Sequence, residues 1–329
     1  MFNNYQYFLA LAEEKNLSRA AERLFVSHQR LSQYLKSLEN EYGTELFTRR
    51  PFELTDAGNM LLESLREVER IDQDFHSCLS DFNAGRRGTL RIGTTEGRLR
   101  VMLPDLLPRF YKEYPRIELD MQAARTPELL ERLRSNQLDF IIIGNYDIDR
   151  PDPRLRQKAV LQEHLYLVIS DNLLKETFPD RYPDCIREFS HGADLREFQD
   201  VLFLLNHSGF STRIMLKHHL MNIGAELRKY QELSAMDLQY RLASRDMAAC
   251  FALTIYLEDI HNLNLSGSGL SRLHVFPILG MDETNQISIT FLRGRKFPSY
   301  TRRAMKLVEE ICAEYSCFDL SAVSRPEEA

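Results

Sequence analysis

Over the first 54 residues apolar positions recur at helical spacing. Phe8, Leu11 and Ala12 make one apolar face and Leu17, Ala20, Ala21 and Leu24 a second, which predicts two short helices. The pattern breaks at Phe25–Val26. Ser27 then suits the N-cap of a third helix, whose Leu31, Leu35, Leu38 and Tyr42 fall at offsets of 4, 7 and 11 before Gly43 stops it. Leu46–Leu54 reads as extended, with Pro51 at a turn. Two helices joined by a tight turn, with small residues where they cross and a hairpin behind, predict an all-α winged helix-turn-helix over residues 1–58.

From Thr55 to about Phe82 the period lengthens. Leu61, Leu65, Val68, Phe75, Leu79 and Phe82 alternate steps of four and three, with one polar lapse at Asp72 beside Ile71, which is the spacing of a coiled-coil seam. A helix packed on its own domain would also be apolar on one side. Its length, acidic outer face and place between two domains favour pairing with a second copy. Residues 59–87 are therefore expected to be a linker and dimerisation helix ending in a hinge at Asn83–Gly88, NAGRRG.

Beyond the hinge, strand and helix patterns alternate. Strands are expected at Thr89–Gly93, Ile117–Gln122 and Phe140–Gly144, and helices at Leu103–Tyr114 and Pro127–Ser135. The rhythm resumes at Leu165–Ile169, Val201–Leu205, Thr212–Gly224, Met236–Ser244, Ala249–Ile255 and Gln286–Leu292 and ends in a helix at Tyr300–Tyr315. Such alternation predicts an α/β domain with a mostly parallel sheet. Residues 319–329 are expected to be a disordered tail.

Charge changes the picture locally. Lys plus Arg is 42 and Asp plus Glu 48, so a net charge of −6 excludes a chain that binds nucleic acid over its whole surface but not one with a basic patch. Between Lys15 and Leu38 five bases (Lys15, Arg19, Arg23, Arg30, Lys36) stand against the single acid Glu22. The longest apolar run, Met247–Leu253, is far below the roughly 20 residues of a membrane span. No membrane partner is expected, and no signal peptide. Five cysteines (Cys78, Cys185, Cys250, Cys312, Cys317) without a Cys-x-x-Cys pair suggest neither a disulfide framework nor a zinc site, so a reducing cytoplasm is the simplest location.

The third helix carries the most chemistry. With its leucines inward, a 100° step per residue puts Gln29, Gln33, Lys36 and Asn40 on the outer face, flanked by Arg30, Ser32 and Ser37. Any exposed helix face is polar, but amide and basic groups are what base edges in a major groove require. Arg49 and Arg50 on the wing are candidates to hold a phosphate or enter the minor groove.

The segment NYQYFLALAEEKNLSRAAERLFVSHQRLSQYLKSLENEYGTELFTRRPFELTDAG resembles the DNA-binding domain of LysR-type transcriptional regulators. The matching residues include Phe8, Ala20–Ala21, Leu24, Val26–Ser27, Leu31–Ser32, Leu38–Glu39, Gly43, Leu46–Phe47, Arg49, Leu54–Thr55 and Ala57–Gly58. LRIGTTEG, LLPRFYKEYPRIEL, LDFIII and LYLVIS resemble the same family's effector domain, and the likeness spans about Asn3 to Cys312. It implies a homodimer or dimer of dimers, double-stranded operator DNA as partner, and RNA polymerase as a candidate further partner. It also implies a two-lobed, periplasmic-binding-protein-like domain with a small-molecule effector in its cleft. The lobes are expected at 88–162 with 286–318, and at 163–285. Carried over, the base-reading start of the third helix falls on His28, Gln29, Arg30, Ser32 and Gln33, with Ser27 beside them among the expected DNA-binding residues. His28, Gln29 and Arg30 depart from the family's usual Gln, Pro or Ser, and Ala, so the resemblance implies DNA binding but not which operator sequence is preferred.

In the effector domain Thr94, Thr95, Glu96 and Arg98 follow the first strand and open a helix, where backbone N–H groups favour an anion and Arg98 could pair with it. Glu96 would repel one, which leaves neutral, zwitterionic and basic effectors open. Thr126, Asn145, Asn206, Ser208 and Ser211 lie at corresponding strand ends, where open α/β sheets bind ligands; capping and loop solvation would place the same residue types there, and Thr126-Pro127 is a normal helix cap. Two departures stand out: Asp246-Met247-Ala248 replaces the family's Gly-x-Gly turn, and Lys175–Asp194 is longer than usual. His218-His219 on a helix point apart, Gly267-Ser268-Gly269 lacks the third glycine of a dinucleotide loop, and no nucleophile, base and orienter stand together. Neither a metal, a cofactor nor an enzymatic activity is expected. The competing reading is a cytosolic small-solute-binding protein whose N-terminal helices only dimerise.

Overall fold

A computed structural model describes residues 5–82, 88–144, 152–266, 269–320 and 323; within 5–82, the side chains at 70, 73, 74, 76–78 and 80–82 lie outside that description. So do most of the expected hinge, Asn145 and Gly267-Ser268. The chain forms two compact units, Met1–Gly85 and Arg86–Ala329.

The first unit holds α1 (Tyr5–Glu14), α2 (Leu17–Arg23), α3 (His28–Tyr42) and α4 (Asp56–Phe82). The Asn16 side chain caps α2 by accepting the N–H groups of Ser18 and Arg19, and the Ser27 hydroxyl caps α3 by accepting that of Arg30. Gly43, at φ +67°, ends α3 in the left-handed conformation that a residue with a Cβ resists. Phe8, Leu11, Ala20, Ala21, Leu31, Leu35, Leu46 and Phe47 form the core. The alanines let the helices cross closely. The expected wing is a single antiparallel bridge, Phe47 to Leu54, and the Thr55 hydroxyl accepts the Gly58 N–H at 3.0 Å at the start of α4.

The expected seam on α4 divides. Leu65 is buried in the core of its own unit and Leu61 packs against it, so the dimerisation role expected for these two is corrected: α1 already covers that turn. Val68 is half-buried. Phe75 and Leu79 remain 59% and 39% exposed, as does Ile71 at 55% beside the polar lapse. The side chain of Phe82 lies outside the described residues.

The second unit holds two sheets. The first comprises β1 (Gly88–Thr94), β2 (Ile117–Ala123), β3 (Phe140–Gly144), β4 (Leu155–Glu163) and β10 (Asn285–Leu292) in the order β2-β1-β3-β10-β4. The second comprises β5 (Leu165–Ser170), β6 (Leu202–Leu205), β7 (Lys229–Glu232), β8 (Ala249–Leu253) and β9 (Leu273–Pro277) in the order β7-β6-β8-β5-β9. Their helices are α5 (Glu96–Glu113), α6 (Thr126–Arg134), α7 (Asp171–Thr177), α8 (Asp184–Phe189), α9 (Ser211–Ile223), α10 (Met236–Ala243), α11 (Leu257–Leu265) and α12 (Ser299–Ser316).

The expectation of mostly parallel sheets is corrected. β10 runs antiparallel to β3 and β4, and β5 antiparallel to β8 and β9. The chain leaves the first lobe along β4 and returns along β10, and outgoing and returning strands oppose one another. Strands β4, β7 and β9 carry no clear pattern; β7, KYQE, is exposed at all four positions.

Helix ends, the tail and the long Lys175–Asp194 segment add detail that the sequence did not supply. Arg125, not Thr126, occupies the N-cap of α6, and α5 begins at Glu96 rather than Leu103. Of the expected tail, Leu320 packs on the core beside Phe318, and Val323 is fully buried with its carbonyl accepting from the Arg272 guanidinium at 3.1 Å, while 321, 322 and 324–329 lie outside the described residues. Lys175–Asp194 extends the second lobe's core, with Phe189 lying 5.1 Å from the rings of Phe178 and Phe198 and 5.7 Å from Phe276 of β9. Where the family usually has glycine, Asp246 takes φ +61°, and its carboxylate accepts hydrogen bonds from Asn172 and Ser271. Those bonds hold a turn that asparagine and aspartate tolerate better than most residues. No described helix is long and apolar enough to cross a membrane.

Candidate nucleic-acid interface and effector cleft

Helix α3 presents the polar ridge on the surface of its unit. His28, Gln29, Arg30, Ser32, Gln33, Lys36, Ser37 and Asn40 are all exposed, while Leu31 and Leu35, at 0% and 1% exposure, anchor the helix from behind. Ser27 is exposed too, but its hydroxyl is occupied in capping α3. The surrounding charge is smaller than the sequence window suggested. Arg23 pairs with Glu13 at 2.6 Å and Arg19 with Glu14 at 3.0 Å, two acids lying just ahead of Lys15. Lys15, Arg30 and Lys36 stand outside those pairs.

Glu39 positions the wing. It is 8% exposed, and one carboxylate oxygen accepts the backbone N–H groups of Leu46 (3.0 Å) and Phe47 (3.3 Å) while the other holds the Arg49 guanidinium. Arg49 thereby braces the wing, its charge shared with Glu39 while its side chain stays 53% exposed. Arg50 is exposed. The place of Glu39 four residues after Leu35 puts it on the inward face of α3, the sequence signal for this role. Glu39→Ala is expected to lower stability by about 1–3 kcal/mol, because two buried N–H groups lose their acceptor. Thermal denaturation checks this, and a gel shift on the same variant should show weaker DNA binding as the wing loosens.

The candidate effector residues separate into two sets. Thr94, Thr95 and Glu96 sit at the carboxyl end of β1, and Thr126 lies beyond the parallel neighbour β2. Asn206, Ser208 and Ser211 follow β6 in the other lobe. The lobes meet beside the start of α5: a Cβ on Gly97 would come within 2.4 Å of the Tyr256 hydroxyl, and Arg100 bridges Glu96 at 2.8 Å and Asp237 of α10 at 3.4 Å. Burial pushes the Tyr256 and Tyr240 hydroxyls far above their ordinary range, so both stay protonated.

Three of the expected effector residues, Arg98, Thr94 and Thr126, are buried. Arg98 is 6% exposed and holds Glu163 at 3.0 Å, with Asn285 donating to the same carboxylate oxygen at 3.0 Å, so its charge answers an internal partner and not an effector anion. Thr94 is fully buried and donates to the Ile142 carbonyl across the sheet. Thr126 is 5% exposed, which leaves little of it for a ligand. Asn206 accepts from Thr212 and donates to the Ser234 carbonyl. A small cavity at the end of β6 is lined by Asn206, Thr212, Arg213, Gln239 and Phe251 among others. Arg213 and Gln239 carry no motif that would have singled them out. Glu96, Ser208 and, in part, Thr95 and Ser211 are accessible.

Burial pushes the Cys312 thiol up to about 12 and raises Cys185 and Cys250, the opposite of what a reactive thiolate needs. His218 pairs with Glu283 at 3.0 Å, and no cluster of three metal-ligating residues occurs among the described residues.

Comparison with known proteins bears on both units. The family model described as "Bacterial regulatory helix-turn-helix protein, lysR family" matches residues 2–59, and that described as "LysR substrate binding domain" matches residues 83–266. The HTH-type transcriptional regulator CzcR of Bacillus anthracis is 26% identical over 314 residues, covering 93% of this chain and 96% of that one. A probable RuBisCO transcriptional regulator of Trieres chinensis is 23% identical over 254 residues, 76% of this chain and 79% of its own. Among solved structures, a full-length OxyR from Pseudomonas aeruginosa shares the fold with a TM-score of 0.63 at 19% identity, covering 93% of this chain and 94% of the other. Full-length CbnR in complex with its target DNA has a TM-score of 0.52 at 20% identity, covering 93% and 97%.

Proposed function

This chain belongs to the LysR-type transcriptional regulators, and from that premise we propose that α3 enters the major groove of an operator with Gln29, Arg30, Ser32, Gln33 and Lys36 toward the base edges. His28 stands at the entry of the helix and Arg50 at the flanking phosphates. The protein is a DNA-binding regulator with an effector-binding domain, working in the cytoplasm where its DNA is. The observation that carries the assignment of residues is the outward ridge over a leucine anchor: Gln33 and Lys36 are exposed while Leu31 and Leu35 are not. The pairing surface is the exposed stretch of α4 at Ile71, Phe75 and Leu79, which leaves apolar area uncovered within one copy.

The effector site lies between the loop after β1 and the end of β6, built from hydroxyl and amide groups with Arg213 beside them. With Arg98 occupied by Glu163, the site favours a neutral or zwitterionic molecule over a simple anion. A thermal-shift screen of amino acids, aromatic acids and neutral metabolites on the full chain tests this, since a ligand of the folded state raises Tm by mass action. Stabilisation by simple dicarboxylates alone would overturn it.

Gel shifts with the DNA flanking the protein's own coding region test the DNA assignment, and no retarded band there counts against it. Gln33→Ala is expected to cost about 1–3 kcal/mol of operator affinity and to relax selectivity at one base pair, provided the amide makes a bidentate contact. Equal losses on operator and random DNA would remove Gln33 from the reading residues. Operator affinity should fall steeply with salt as phosphate-bound counterions are released.

A further inference from the structure

Phe25 is anomalous on two counts. Its side chain is 97% exposed, the most open of the large apolar side chains in the described residues. Its backbone sits at φ +54°, in the left-handed region that a side chain with a Cβ resists. The conformation is imposed by the way α2 ends. The Val26 N–H bonds to the Ala21 carbonyl at 3.0 Å and the Phe25 N–H to that of Glu22 at 3.1 Å, which closes the helix in a Schellman motif with Phe25 in the slot glycine usually fills. Val26 packs inward on the core, so the turn itself is well made. Folding stability alone would place glycine or asparagine at 25. A bulky ring held in an unfavourable conformation with nothing to touch points to a use outside the folded unit.

Position narrows that use. Phe25 lies two residues ahead of the Ser27 cap, in the turn that delivers His28, Gln29 and Arg30. The turn leads directly into α3, whose exposed face carries Arg30 and Lys36 with the amides Gln29 and Gln33, a face that suits a polyanion better than an apolar protein surface. We propose that Phe25 is a specificity-determining contact to the DNA duplex, its ring lying against a thymine methyl and the adjoining sugar at the wall of the groove that α3 enters. These are the apolar surfaces a duplex offers, and aromatic contact with the thymine methyl is an established mode of base discrimination. The proposal rests on the assignment of α3 as the groove-binding helix.

The test is binding-site selection from a randomised duplex pool by the full-length protein and by Phe25→Asn, with Tm measured for both. Asparagine accepts the left-handed backbone, so the variant is expected to melt at the same temperature or higher. Its affinity for the duplex selected by the unaltered protein should fall about tenfold, as for loss of a half-buried ring. The selected consensus should lose a thymine next to the bases read by α3. Random duplex, which keeps only the sugar contact, should lose much less affinity than the selected duplex, and the salt slope should not move because no charge changes. An unchanged consensus with unchanged affinity overturns the proposal, as does an equal loss on selected and random DNA. A change in oligomeric state without a change in consensus overturns it too and makes the ring a contact between copies. If the unaltered protein selects no consensus at all, the failure lies with the reading of α3.

Discussion

Glu163→Leu is expected to lower the unfolding free energy by about 3–5 kcal/mol, because it strands the Arg98 guanidinium in an interior site with its principal counter-charge gone. Glu163 is fully buried and Arg98 nearly so, and a single carboxylate oxygen holds both Arg98 and the Asn285 amide. Two opposite charges at such depth make a modest net contribution together; either one alone is costly, since the desolvation penalty remains and the attraction does not. Arg98→Met should therefore be as damaging as Glu163→Leu, and the double variant should recover most of the loss by placing two apolar side chains where the pair stood. Urea unfolding of the four proteins checks this double-mutant cycle. Additive losses would mean that the two groups act separately. The network joins the start of α5, the end of β4 and the start of β10, at the strand ends where the chain leaves and re-enters the first lobe.

Gly58→Ala is expected to cost about 3 kcal/mol or more and to abolish operator binding, although it adds one methyl group. A Cβ at 58 would stand 2.1 Å from the Leu46 carbonyl oxygen and 3.0 Å from a Leu54 methyl. The obstacle is backbone, so no rotamer change relieves it, and overpacking a well-filled contact usually costs about 1–3 kcal/mol even where side chains can yield. Relief requires α4 to withdraw from the wing. That breaks the Thr55 N–H to Leu46 carbonyl bond at 3.0 Å and shifts the Leu46 and Phe47 N–H groups away from Glu39. Thermal melting and a gel shift measure the two effects; a variant as stable as its parent would show that the wing and α4 are not rigidly joined.

Much of the N-terminal unit was legible in the sequence because its signals are local. Ser27 and Gly43 act within one helical turn, and a leucine period of 3.6 names the inward face without reference to anything distant. The exposure of Gln29, Gln33 and Lys36 followed from that. The charge count did not survive, since Glu13 and Glu14 lay just outside the window and reach across to Arg23 and Arg19. Arg49 was legible as a base on the wing but not as the partner of Glu39, ten residues earlier. In the second unit β3 and β5 announced themselves by being apolar throughout, whereas β7 is a strand only because β6 pairs with it.

The amino-acid order by itself determined the family, the outward ridge of α3, the long helix and the succession of α/β elements, all of which depend on residues close in sequence. Tertiary structure alone decided what became of the charges and of the shared apolar rows. Arg98 reads as an anion receptor until a carboxylate 65 positions later reaches it, and Leu65 reads as a seam residue until α1 folds over it. The physical reason is the same in each case. A side chain's chemistry is available for function only when no group brought near by folding has already taken its charge, its hydrogen bond or its apolar surface.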